Sequence, residues 1–145
     1  MRVDFYQLTR DPAEAVVPLL ARNTLAADQR LLVVSGDDAQ LLRVSQALWS
    51  SSPESFLAHG PAGGENDARQ PILLTDRLDA TNGARFLALA DGLWREGADQ
   101  FERVFLLFDS NALQGARECW RMLGTRPETE RKFWKQEGGR WVEGP

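Results

Sequence analysis

The chain has 145 residues, 43% of them apolar and 26% charged, with 17 Lys and Arg against 21 Asp and Glu for a net charge of -4. That length buries a core without metal or disulfide staples, and that balance gives no general electrostatic pull toward nucleic acid. A single cysteine excludes an internal disulfide, and with no apolar leader and no run near the roughly 20 apolar residues of a membrane span, a cytoplasmic protein without a membrane partner is expected.

Val3 to Leu8 reads as a strand, and Asp11-Pro12 opens a helix in which Ala15, Val16, Leu19 and Leu20 recur at helical spacing. Pro18 lies inside that run and should kink the helix or mark its first turn. Leu31 to Val34 is a continuous apolar run suited to a buried parallel strand. Ser35-Gly36-Asp37-Asp38 follows as a turn and cap for a helix reaching about Trp49, with Leu41, Leu42, Val44 and Leu48 on one face. Residues 50 to 70 are rich in Ser, Pro, Gly and Asp, which predicts a long surface loop. Ile72 to Thr75, Phe86 to Leu89 and Val104 to Phe108 complete five strands, and a helix runs from Asp109-Ser110 to about Gly124. The remainder, from Arg126, reads as a charged, aromatic tail.

Alternating strands and helices predict one domain over residues 1–145: a three-layer α/β/α sandwich around a doubly wound, mostly parallel, five-stranded sheet. The Phe86 strand is open to an antiparallel placement, because its links lack a crossover helix.

Few residue groups support chemistry. The Ser35-Gly36-Asp37-Asp38 turn has one glycine, no lysine, and two carboxylates where a phosphate would sit, so it is better read as a helix cap than as a nucleotide site. Ser51, Ser52 or Ser55 could be drawn with His59 and Glu54 as a nucleophile, base and orienting group. All of them fall on one short loop, however, and no nucleophile elbow is present. One histidine and one cysteine, Cys119, make no transition-metal site, so neither a catalytic centre, a metal nor a cofactor is expected. Arg117, Trp120 and Arg121 stand at i, i+3 and i+4, placing two guanidinium groups beside an indole. Such a face can grip the carboxylates of an acidic peptide while the ring packs an apolar side chain; equally, Trp120 can be core and the arginines can pair with Glu118 or solvent.

Several of these residues together resemble the chi subunit family of bacterial DNA polymerase III. They are the Phe5-Tyr6 start, Ala47-Leu48-Trp49 followed by Pro53-Glu54-Ser55-Phe56 and His59, Ala116-Arg117-Glu118 with Trp120-Arg121, and the aromatic-basic tail. The resemblance implies a non-catalytic accessory subunit of the clamp-loader assembly that joins the psi subunit to the acidic C-terminal tail of single-stranded DNA-binding protein, without direct DNA contact of its own. Carried over by position, it implies that Arg117, Trp120 and Arg121 hold that tail, with Trp49 and Phe56 as aromatic walls beside them. Leu113 departs from relatives that carry lysine nearby. Two other classes stay open from the residues alone: a small hydrolase or nucleotide-using enzyme built on His59 and Glu54, and a single-stranded nucleic-acid binder built on Arg131, Lys132, Phe133, Trp134 and Lys135.

Overall fold

The computed structural model describes residues 1–50, 57–137 and 140–144. In chain order the elements are β1 (Arg2–Gln7), α1 (Ala13–Ala26), β2 (Leu31–Val34), α2 (Asp38–Ser50), β3 (His59–Pro61), β4 (Ile72–Thr75), β5 (Phe86–Leu89), β6 (Arg103–Phe108), α3 (Leu113–Gly124), β7 (Glu130–Glu137) and β8 (Arg140–Glu143). Among the described residues they form one eight-stranded sheet, ordered β3-β4-β2-β5-β6-β1-β7-β8. Every neighbouring pair is parallel except β7 with β8.

Chain direction across the sheet decides which face each connection covers. The links through α1 and α2 run toward the β3 edge, whereas those from β4 to β5, β5 to β6 and, through α3, β6 to β7 run toward the β8 edge. Right-handed crossovers in opposite directions fall on opposite faces. Accordingly, Val16, Val17 and Leu20 of α1 and Val44 and Leu48 of α2 pack on Leu31, Val33 and Leu107, while Ala116, Cys119 and Leu123 of α3 pack with Val3, Phe5, Leu106 and Phe108. Leu78, Ala84, Trp94 and Phe101 from the non-helical links cover the rest of the α3 face. This is the three-layer α/β/α arrangement expected, with a larger sheet.

The extra strands have specific origins. β3 spans three residues at the sheet edge, where Pro61 is tolerated, and so carries no periodic signal. β7, Glu-Arg-Lys-Phe-Trp-Lys-Gln-Glu, is partly buried on both faces rather than apolar on one. The stems of its basic side chains provide the cover that apolar residues usually give. The segment after Arg126 is therefore part of the sheet and not a tail, and Gln136 ties it to the β1–α1 link: its Oε1 accepts from Arg10 N and Asp11 N (3.2 and 3.3 Å), and its Nε2 donates to Asp11 Oδ2 at 2.8 Å. The antiparallel option for Phe86 to Leu89 is also corrected. That strand runs parallel to β2 and β6, because the segment between β4 and β5 crosses the α3 face without forming a long helix. Pro18 is a buried residue inside α1, which begins five residues earlier.

Candidate partner-binding cleft

Asp109 starts the last helical segment by accepting from the N–H groups of Asn111 and Ala112 (3.0 and 3.3 Å), satisfying donors that the helix itself leaves open. In α3 the positions Ala116, Cys119 and Leu123 recur at helical spacing and face the sheet. Leu113, Arg117, Trp120 and Arg121 then fall along one flank. That flank does not close onto the sheet. It leaves a cleft of about 650 Å³ whose helix wall is Leu113, Ala116, Arg117, Trp120 and Arg121 and whose sheet wall is Phe5, Gln7, Phe108 and Phe133.

Trp120 is half-buried and held on several sides. Its ring meets Phe5 edge-on at 5.1 Å between centroids and Phe133 at 6.4 Å, and the Arg131 guanidinium lies 4.2 Å from its centroid. Trp120 is thus both core and cleft wall. Glu118 accepts from Gln114 at 3.3 Å, and among the described residues neither Arg117 nor Arg121 has a carboxylate within ion-pair distance. Arg2, Arg43, Arg85, Arg95, Arg103 and Arg126 all have acidic partners. Two exposed guanidinium groups therefore border an aromatic cleft, which suits a ligand carrying both carboxylates and an apolar end.

Trp49 is elsewhere. It ends α2 on the opposite face of the sheet, 57% exposed, with its ring centroid 4.8 Å from that of His59. The expectation that it walls the same slot as Trp120 is corrected by the opposed crossovers of α2 and α3. Phe56, and with it Ser51, Ser52, Glu54 and Ser55, lies outside the described residues.

His59 does have a hydroxyl partner, the Oγ of Ser45 at 2.8 Å from Nε2, while Nδ1 lies 2.8 Å from the Leu57 carbonyl. A carbonyl can only accept, so Nδ1 carries a ring proton and donates it to Leu57 O, while Nε2 shares a hydrogen bond with the Ser45 hydroxyl. Trp49 leans on the ring, and neither the α3 cleft nor the cleft at the C-terminal ends of the parallel strands is lined by Ser45 or His59. The pair pins the start of β3 to α2.

The second cleft, about 820 Å³, opens at the C-terminal ends of the parallel strands, where α/β sheets commonly hold nucleotides. Asp11, Glu14, Asp37, Asp91 and Asp109 line it against only Arg10 and Arg43. The Gly36 N–H that would meet a phosphate donates instead to Asp91 Oδ2 at 2.9 Å, and Asp37 caps α2 through Ala39 N at 3.0 Å. Burial raises the affinity of the Asp91 carboxyl for a proton, but Arg95 and the Gly36 and Leu93 N–H groups outweigh it and hold the group below the usual carboxylate range. An ionised carboxylate thus occupies the position an anionic ligand would take. The aromatic-basic run of β7 makes no stacking platform either: strand alternation puts Phe133 on the α3 face and Trp134 on the other, and Lys132 and Lys135 pair with Glu130, Glu143 and Glu137.

A family model described as the DNA polymerase III chi subunit, HolC, matches residues 1–127. The chain belongs to the chi subunit family of DNA polymerase III. No curated protein matches it. The family is that of an accessory replication subunit, and among the described residues no helix is long and apolar enough to cross a membrane. Residues 1–127 take in all of α3 and hence the whole helix wall of the cleft. Phe133, on the sheet wall, and Arg131, which packs against Trp120, fall outside the match. Sequence reasoning missed Phe5, Phe108 and Phe133 as cleft residues: Phe5 and Phe108 read as strand aromatics and Phe133 as part of a basic-aromatic run, and only strand order brings them under α3.

Proposed function

We propose that this chi-family protein docks the acidic C-terminal tail of single-stranded DNA-binding protein in the α3 cleft and, through psi, links it to the polymerase III clamp-loader assembly in the cytoplasm. The observation that carries the reading is the pairing of two cations that have no acidic partner among the described residues, Arg117 and Arg121, with an aromatic cleft formed by Phe5, Trp120 and Phe133. The guanidinium groups take the terminal carboxylate and neighbouring aspartates, and the rings take the apolar last residues. Neither contact does chemistry, in keeping with an accessory subunit.

Because the cleft uses one face of the sheet only, the other face can meet a second protein at the same time. Trp49, a large exposed aromatic at the end of α2, is the residue we assign to that second contact, since exposed indoles commonly anchor interfaces. The tail reading is tested by calorimetry with an acidic, phenylalanine-ending peptide and its C-terminally amidated form. The free acid binds and amidation weakens binding about tenfold or more, as loss of a charge-assisted contact of about 1.5–3 kcal/mol requires. Equal affinity of the two forms would remove the carboxylate from the account.

A further inference from the structure

Arg131 lies against Trp120 but is not among the residues that line the cleft. Its guanidinium lies 4.2 Å from the Trp120 ring centroid, and its Nη1 donates to the Trp120 carbonyl at 2.7 Å. One side chain from β7 thus holds both the ring and the backbone of one residue on α3. Gly124, one turn beyond Trp120, leaves room for it. A Cβ there would come within 2.8 Å of Arg131 Nη1 and 3.0 Å of its Cζ, so any larger residue displaces the guanidinium.

Resting on the tail-docking reading above, we infer that Arg131 is a positioning residue of the cleft: it locks Trp120 in place from the strand side and does not itself pair with the partner's carboxylates. The indole is then preorganised as a wall before the peptide arrives, which lowers the ordering cost of binding. A planar guanidinium suits this role because it stacks on an aromatic face and donates to a carbonyl at once; an ammonium does the stacking poorly. The residues involved come from both sides of the family match, Trp120 and Gly124 within residues 1–127 and Arg131 beyond them.

The test uses Arg131→Met, Arg131→Lys and Gly124→Ala in the full chain, with two readouts. The first is the affinity and its salt dependence for an acidic, phenylalanine-ending peptide. The second is the Trp120 indole N–H resonance in the free protein, assigned with Trp120→Phe. All three variants broaden or shift the Trp120 signal and weaken the peptide by about 3- to 30-fold, the span of a cation–π contact. Arg131→Lys recovers only part of the loss, and Gly124→Ala reproduces it with the charge still present. The salt slope stays that of the parent in every case, and denaturant midpoints show whether a variant is folded. Full recovery by lysine together with a reduced salt slope in Arg131→Met would overturn the inference, because Arg131 would then be a direct charge contact. An unmoved Trp120 signal would overturn it as well. If the parent protein does not bind the peptide, the docking reading falls, and the indole signal alone decides whether Arg131 orders the ring.

Discussion

Trp49 and Trp120 lie on opposite faces of one sheet, although the resemblance implies that both wall a single peptide slot. Trp49 sits in the last turn of α2, whose crossover runs toward the β3 edge, and Trp120 sits on α3, whose crossover runs toward β8. The two indoles are therefore separable by mutation. Trp120→Ala lowers affinity for an acidic, phenylalanine-ending peptide by tenfold or more, on the order of what a central aromatic anchor contributes. Trp49→Ala leaves that affinity unchanged and reduces recovery of the other polymerase III subunits from lysate. Calorimetry and quantitative pull-down on the same preparations read both effects.

Asp4 is wholly buried in β1 and is held by donors from three side chains: Arg2 (Nη2 at 3.0 Å and Nε at 3.2 Å), Arg103 Nε at 2.9 Å and the Trp134 indole N–H at 3.0 Å. Those contacts join β1 to β6 and β7. Asp4→Ala strands a partly buried indole donor and two guanidinium groups whose side chains are about a third exposed and can turn to water. The expected loss is about 1–3 kcal/mol, below that of a fully buried pair, read as a lowered urea midpoint with little change in slope. Peptide affinity stays within about twofold, because Asp4 faces away from the cleft.

Tyr6 is the single tyrosine, packed against Trp134 and Trp141, and burial with Asp4 nearby raises its pKa from 10.0 to about 12. The folded state thus keeps the phenol proton where the unfolded chain releases it. A raised folded pKa gives stability that is complete below pH 10 and is lost as pH climbs toward about 12. Difference absorbance should show tyrosinate forming near pH 12 in the folded protein, with urea midpoints falling across the same window. Tyr6→Phe removes that component of the pH dependence.

Cys119 faces the sheet from α3, 5% exposed, and burial pushes its thiol up to about 12 despite Arg126 nearby. A thiolate is the reactive form, so a disulfide reagent at pH 8 modifies Cys119 only as fast as the helix opens. Full labelling appears in denaturant. Rapid labelling of the folded protein would place the thiol outside the core.

Much of the fold was legible because its signals are local. Leu31 to Val34 and Val104 to Phe108 are continuous apolar runs, and the spacing of Ala116, Cys119 and Leu123 marks the buried stripe of α3. Arg117, Trp120 and Arg121 share a flank for the same reason. What stayed hidden depends on non-local order: β7 alternates two aromatics between faces and covers itself with basic stems, which reads as a solvated tail until β1 is placed beside it. Phe5 and Phe133 become neighbours in register only through that pairing. The face chosen by α2, and with it the place of Trp49, follows from strand order, which no local pattern encodes.

The central claim is that α3 presents Arg117 to the carboxylates of a protein tail. The most direct measurement is isothermal calorimetry of an acidic, phenylalanine-ending peptide with the parent protein and with Arg117→Ala, each at low and high salt. The account predicts binding by the parent that weakens as salt rises, and a loss of about tenfold or more in the variant together with a shallower salt dependence. Arg117 is exposed and has no side-chain partner among the described residues, so folding is unaffected. Equal binding by the two proteins, with equal response to salt, would contradict it.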